Sequence, residues 1–411
     1  MMEHYLGIAA LVAAGAASLA MAARQPGLTP ILGAAFIVRA AAALYHFYVA
    51  PLPDGLLDAV KFERVAWESG SHGLSIALSG FPRDLSYFYS YLLGLVYSVT
   101  GRAALMAQSF GILAGTAGVA LTWALANDLW GRTVARRAAW VAALFPTAIM
   151  YSALTMREPF VMLFLLLGLR GAVAWARSRR MLPAAGAMAG FAAAALFHTG
   201  LIAAVAIFAA LVLFGESRRL MKGWIPGLIL AVCAGAIVVG AAAALLESAD
   251  TISIGKFGTL TEAASPERWL EVTRNRTTGG AAYPEWTTPR SAADLIWAVP
   301  LRLVYFLFSP FPWDVRTPAH LSGLLDSLLY AGLAWYMWKN RGRIWADPAA
   351  RLVLLIVLPL LLAFAIGTGN FGTAMRHRSK LLPVLAVLAA PALPRLVLHA
   401  KGPNGRAADA R

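Results

Sequence analysis

The sequence predicts an all-α, polytopic membrane protein, and three observations carry that reading. Of the 411 residues, 60% are hydrophobic. Only 13% are charged, about half of the ~25% usual in a soluble domain. Apolar runs of roughly 16 to 25 residues recur along the chain, the length a helix needs to cross a bilayer core. A β-barrel would alternate apolar and polar residues instead. Abundant Ala and Gly suit close helix packing in lipid.

About eleven spans are read, at 4–23, 31–50, 104–127, 138–153, 158–176, 184–198, 200–215, 225–246, 320–338, 350–367 and 380–399. The first run, "LGIAALVAAGAASLAMAA", has no basic segment ahead of it and reads as a retained helix, not a signal peptide. Cys233 is the only cysteine, which excludes an intramolecular disulfide and a cysteine-based metal site.

The net charge of +15 would suggest nucleic acid in a soluble protein. Here the cations sit in short loops and set topology, so no nucleic-acid partner is expected. With the N-terminus outside and the C-terminus inside, the inner segments hold Arg24; Arg132, Arg136 and Arg137; Arg177, Arg179 and Arg180; Arg218, Arg219 and Lys222; Lys339, Arg341, Arg343 and Arg351; and Lys401, Arg406 and Arg411. Their acids are only Asp128, Glu216, Asp347 and Asp409. The inverted orientation would place all these cations outside. Two further apolar runs, "SYFYSYLLGLVYSVTG" and "ADLIWAVPLRLVYFLFSP", would reverse the basic loops if counted as spans. They are read as helices lying at the outer interface, where Tyr and Trp are favoured. A single transmembrane domain, 1–411, then presents three outward segments: 51–103, 247–319 and 368–379.

The last of these holds "NFGTAMRHRSK". Arg376, His377, Arg378 and Lys380 face outward against the positive-inside bias, with no acid in their loop. Such a cluster is a candidate anion site. Arg376 and Arg378 stand at i and i+2, so on a helix they diverge, one toward a phosphate and the other toward its neighbours. In 51–103, Asp54 fits a Pro-Asp-Gly turn, and Asp58 opens a helical pattern, where it suits an N-cap or a base. The turn "LTMREPF" offers Arg157 and Glu158 ahead of Pro159, where Glu also suits a helix start. "FHTG" places His198 at another outer hairpin, as a packed residue or a ligand. In 247–319, "FPWD" suits a rigid turn with an aromatic anchor, and Asn275 opens a sequon that often occurs by chance.

The order of these features resembles the GT-C superfamily of integral-membrane glycosyltransferases, in its polyprenyl-phosphate-dependent branch of aminoarabinose, protein-mannosyl and galacturonic-acid transferases. The carrying pieces are "DAVKFERVAWESG", "YFYSYLLGLVYSVTGR", "LANDLWGRTVARRAAWVAALFPTAIMYSALTMREP" and "RHRSKLLPVL". Coverage is good over about 50–180 and thin beyond. The resemblance implies a GT-C-like fold with Asp58, or else Asp54, as general base. Glu158 would be a second acid near the acceptor or a divalent cation (Mg2+ or Mn2+), which Asp58 and Glu158 would hold. The late outer cations, with Arg157 and His198, would bind the substrate. Two spans precede the catalytic loop where the family usually has one, and the family's adjacent Asp-Glu pair is missing.

The chemistry suits the residue types on its own terms. An attacking hydroxyl needs a carboxylate to take its proton. A departing phosphate needs fixed cations, for which a guanidinium fork is suited. The reading is a glycosyltransferase in a bacterial-type inner membrane, using a polyprenyl-phosphate-linked donor and a glycan or lipid acceptor at the outer face, among membrane lipids. Two alternatives stay open. One is a polysaccharide polymerase or ligase acting on undecaprenyl-diphosphate-linked glycans. The other is a flippase, whose path would use the intramembrane charges Arg39 and Arg170.

Overall fold

In lipid every backbone polar group needs a partner within the protein, so each helix break needs a specific remedy. The computed structural model describes residues 2–81, 85–213, 262, 265–274, 280–291 and 293–394. The expected span at 225–246, the loop with Arg218, Arg219 and Lys222, Cys233, Asn275 and the last basic residues lie outside the described residues.

The described residues form α-helices and short 3-10 turns, with no strand. The all-α expectation therefore holds. Before the centre of the chain come α1 (Met2–Ala23), α2 (Thr29–Tyr48), α3 (Asp58–Gly70), α4 (Leu74–Ser79), α5 (Phe88–Thr100) and α6 (Ala104–Trp130). Then follow α7 (Arg132–Leu144), α8 (Pro146–Ala153), α9 (Glu158–Ser178), α10 (Met181–Phe197) and α11 (Ile202–Leu213). The last described group is α12 (Pro266–Arg274), α13 (Leu295–Phe308), α14 (Pro318–Lys339), α15 (Arg341–Ala346), α16 (Pro348–Ile366), α17 (Phe371–Ser379) and α18 (Leu382–Ala389).

Five of these helices are long and apolar enough to cross a membrane: α1, α2 with its leading turn, α6, α9 and α16. The other expected spans within the described residues are built differently. The run 138–153 is two helices, α7 and α8, divided at Pro146. The runs 184–198 and 200–215 are the shorter α10 and α11. The span at 320–338 is α14, which carries a buried carboxylate, Asp326, in its middle. Within the described residues, the run from 380 gives the eight-residue α18, every residue of which is buried, continued by a 3-10 turn at Ala390–Ala392. The α13 segment, expected to lie flat at the interface, instead packs into the bundle against α14, α16 and α17, and its Arg302 is fully buried.

The long α6 is the central post, in contact with α1, α2, α7, α8 and α9. Against α9, α10 closes through small residues. A Cβ on Gly190 would stand 2.5 Å from the backbone nitrogen of Gly168, so the two backbones touch only because neither position has a side chain.

The break at Pro146 shows how this fold handles a helix end. Proline has no N–H, so the carbonyl of Ala142 loses its i+4 donor, and the kink withdraws the donor of Ala143. Arg39 of α2, fully buried, replaces them. Its guanidinium donates to Ala143 O at 2.9 Å, to Ala142 O at 3.0 Å and to its own Ala35 O at 3.0 Å. A cation at a helix C-terminus is also favoured by the helix dipole. The second intramembrane cation, Arg170, pairs with Asp128 at 2.9 Å. Arg39 is thus tied to the helix break, while Arg170 pairs at a partly exposed position, its side chain 39% exposed.

Replacing Arg39 by Met should orphan these carbonyls and cost about 1–3 kcal/mol for each one left unpaired. Restoring an N–H with Pro146→Ala in the same protein should recover part of the loss. Thermal unfolding in detergent reads both, and no recovery in the double variant would contradict the capping role.

Candidate functional site

The site is assembled from four helix ends that the fold brings together. The first is the turn after α2. His46, in the last turn of α2, accepts the N–H of Leu52 on Nδ1 at 3.0 Å, and Gly55 N–H donates to Leu52 O at 2.9 Å. These bonds bend the chain so tightly that Asp54 takes a left-handed φ of 61°, a region Asp tolerates better than most residues. The Asp54 carboxylate is held by Tyr151 of α8, whose hydroxyl donates at 2.7 Å. The Pro146 break is what turns Tyr151 toward it.

Asp58 starts α3, but it caps nothing. The N-cap position is Leu57, and no side-chain cap bond is made there. Asp58 instead forms an ion pair with Arg376 of α17 and stays 44% exposed. Asn370 opens α17 by accepting Thr373 N–H at 2.7 Å, which fixes the helix phase that points Arg376 at Asp58.

Glu158 begins α9 just before Pro159 and is 3% exposed. Neither of its oxygens has a hydrogen-bond partner. Two cations face it at ion-pair range: Arg376 Nε at 3.6 Å and Lys380 Nζ at 3.5 Å. Lys380 is fully buried, with Nζ 2.8 Å from His377 Nδ1 and 5.6 Å from the centre of the Phe364 ring. His377 stacks on Phe364 at 5.1 Å, and His198 stands edge-on to it at 5.2 Å. Burial draws the Arg376 guanidinium below its ordinary value, and the charge of Asp54 opposes that shift. A guanidinium so placed remains a cation at any working pH.

The loop around Arg376 lacks an acid in sequence, yet in space Asp54, Asp58 and Glu158 surround it. The structure therefore gathers Asp54, Asp58, Glu158, Arg376 and Lys380, with His377 and His198 behind them. It does not gather Arg157 or Arg378. Arg157 donates to Ser86 O at 2.9 Å and covers the Phe62 ring at 5.3 Å, so it ties the start of α9 to α3 and to the turn before α5.

Arg378 points the other way, as its i+2 spacing requires, and is fully buried. Nε donates to Asp326 at 2.9 Å, and a terminal nitrogen reaches the same carboxylate at 2.5 Å. The other terminal nitrogen donates to Leu307 O and Ser309 O, each at 2.9 Å. All three guanidinium nitrogens are engaged, two by Asp326 of α14 and one by the carbonyls at the end of α13, so Arg378 holds these two helices together where a phosphate contact was expected. Sequence reading missed Asp326 and Tyr151 as partners. The signal for Asp326 was present, since a lone carboxylate inside an apolar run seldom lacks a role. Among the described residues no three His, Cys, Asp or Glu side chains converge closely enough to hold a metal. The expected divalent cation therefore finds no closed ligand set here.

These placements separate the two arginines. Arg378→Ala leaves Asp326 buried and unpaired, and should cost about 3–5 kcal/mol. The apolar pair Arg378→Met with Asp326→Leu should recover much of that. Arg376→Ala leaves Asp58 half exposed and leaves Lys380 facing Glu158, so it should cost clearly less. Equal loss of thermal stability in the two alanine variants would contradict the assignment.

Comparison with known proteins follows this geometry. No curated protein matches the chain. Two solved structures are similar in part. One is the Archaeoglobus fulgidus oligosaccharyltransferase in its apo form, at 14% identity and a TM-score of 0.47. The other is the oligosaccharyltransferase AglB of the same organism, in complex with an inhibitory peptide and a dolichol-phosphate, at 13% identity and a TM-score of 0.46. Each match covers 88% of this chain and 50% of the other, so the chain spans about half the length of these structures. A family profile, that of the dolichyl-phosphate-mannose-protein mannosyltransferases, matches residues 84–241. That match holds two of the four motif pieces on which the resemblance was read, and over that segment the resemblance to this transferase family is borne out.

Proposed function

We propose that the chain is a membrane glycosyltransferase that moves a sugar from a polyprenyl-phosphate-linked donor to a glycan or lipid acceptor. The site would face the outer side of a bacterial-type inner membrane, the side assigned by the basic loops. One observation carries the reading: a largely covered guanidinium, Arg376, 14% exposed, lies among carboxylates of unequal exposure, one of which has no hydrogen bond.

An apolar groove adjoins this cluster. It encloses about 330 Å³ between α5, α6, α9 and α10, with Tyr89, Phe160 and Phe197 among its walls. The Tyr89 hydroxyl is buried there without a hydrogen-bond partner. Burial and the charge of Glu158 keep it protonated, so it is a donor without an acceptor. A lipid tail in the groove would place its phosphate beside Tyr89 and Arg376.

The chemistry then runs by exchange. The donor phosphate takes Arg376 from Asp58, because a guanidinium fork binds phosphate in a bidentate way. Asp58, released and half exposed, accepts the proton of the acceptor hydroxyl. The hydroxyl oxygen forms a bond to the anomeric carbon. The bond from that carbon to the phosphate oxygen breaks, and its electron pair leaves with the phosphate, which Arg376 neutralises. Glu158, fixed by Lys380, accepts hydrogen bonds from the sugar or the acceptor.

Asp58→Asn removes proton acceptance while keeping size. Sugar transfer from a polyprenyl-phosphate donor should fall by about 10²–10⁴. Binding of the lipid phosphate should stay the same or tighten, since the competing carboxylate is gone. If Asp54→Asn alone gives that loss, the base is one turn earlier. Full rates in both variants would remove carboxylate catalysis at this site from the proposal.

A further inference from the structure

A second apolar groove starts at Leu307 and Tyr330, on which Arg378 rests, and runs toward the other end of α14; the proposed function makes no use of it. It encloses about 720 Å³ between α13, α14, α15 and α16. One end is closed by Phe308 and Tyr330, and Leu358 lines its floor. At the other end stand Trp338, Trp345 and Arg341, where α14 gives way to the short α15.

Three features describe what would fill it. From Tyr330 to Trp338 the groove follows eight residues of α14, about 12 Å at the helical rise. That is close to half the hydrocarbon thickness of a bilayer, the depth of one leaflet. The open end holds two tryptophans, which favour the level of the headgroups. The cation there is oriented: Arg341 lies over the Trp338 ring at 4.4 Å and gives one N–H to Trp338 O at 3.0 Å. Its remaining N–H groups belong to an exposed side chain that makes no ion pair among the described residues. Neighbouring Arg177 and Asp347 show the contrast, since they pair with each other at 3.4 Å.

We infer that this groove is a binding site for one anionic phospholipid of the leaflet on the basic-loop side, with an acyl chain along α14 and the phosphate at Arg341. An apolar slot one leaflet deep, ending in an oriented guanidinium between tryptophans, complements such a molecule in length, polarity and charge. A basic loop that served topology alone would need neither the slot nor the stacked geometry. The site does not depend on the proposed transferase reaction, because its polar end, at Trp338 and Arg341, lies toward the other end of α14 from Asp326 and none of the Arg376 cluster lines it.

The test uses purified full-length protein in dodecylmaltoside, titrated with phosphatidylglycerol or phosphatidylcholine while thermal unfolding is followed. The wild-type protein should be stabilised at lower concentrations of phosphatidylglycerol than of phosphatidylcholine. Arg341→Gln, an exposed change that should not disturb folding, should raise the half-saturating phosphatidylglycerol concentration about fivefold and leave phosphatidylcholine unchanged. Arg343→Gln, in the same basic segment but outside the groove, should leave both titrations unchanged. Leu358→Phe, which fills the floor, should weaken the response to both lipids. Equal protection of the wild-type protein by the two lipids would overturn the site. So would a preference that survives Arg341→Gln, or one lost equally in Arg343→Gln, which would mean surface charge alone. Transfer activity is not read in these titrations, so their outcome stands apart from that of the transferase proposal.

Discussion

Satisfying interrupted backbone inside lipid is the constraint on which this structure depends, and buried arginines meet it. Arg39 takes the carbonyls freed by Pro146. Arg378 takes those at the end of α13, with Asp326 as its counter-charge. Arg302 reaches Ala365 O at 3.4 Å and also Thr368 O, where α16 ends. Arg137, only partly buried, donates to Leu393 O at 2.7 Å, just past the short α18. A water-exposed helix end would use solvent for this purpose; in hydrocarbon each orphaned group costs several kcal/mol. A guanidinium suits the task because its donors fan out in one plane and can reach two or three carbonyls at once. The breaks are also what build the site. The Pro146 kink aims Tyr151 at Asp54, and the turn held by Arg378 fixes the wall against which α17 packs.

The division of labour within "RHRSK" follows from helix geometry. Residues at i and i+2 point about 200° apart, so Arg376 and Arg378 serve different sides of α17. One is spent on stability, with every nitrogen engaged. The other meets a half-exposed carboxylate that a phosphate can displace. Lys380, two residues further and fully buried, holds Glu158 and leans on His377. A cationic cluster in a membrane protein is therefore not one functional unit. Burial and the identity of each partner decide what each member does.

Much of this was legible in the sequence, and the remainder was hidden for physical reasons. Apolar run lengths marked α1, α2, α6, α9 and α16, because spanning lipid leaves a strong compositional trace. The cations of the "RHRSK" cluster stood out as an exception to the expected positive-inside bias, and the divergence of Arg376 from Arg378 followed from spacing alone. The partners were not legible. Asp326 lies 52 residues from Arg378, and Ala143 lies 104 residues from Arg39, and no local pattern links them. The helix containing Pro300 and Arg302 was read at the interface to keep the basic loops on one side, and its packing against α14, α16 and α17 was not legible in the run itself. Arg302 spends its donors on carbonyls at and just past the end of α16 and on Thr287 O. Asp58 looked equally like an N-cap, and only the phase of α17 distinguishes the two roles.

The central claim is that Arg376, among Asp54, Asp58 and Glu158, is the seat of the donor phosphate, while Arg378 is structural. The most direct measurement is a density map of the protein with a bound polyprenyl phosphate. The account predicts phosphate density within hydrogen-bond reach of the Arg376 guanidinium, with Asp58 displaced from it, the tail between α5, α6, α9 and α10, and Arg378 still on Asp326. Phosphate density at another cation, with the Arg376–Asp58 pair intact, would contradict it.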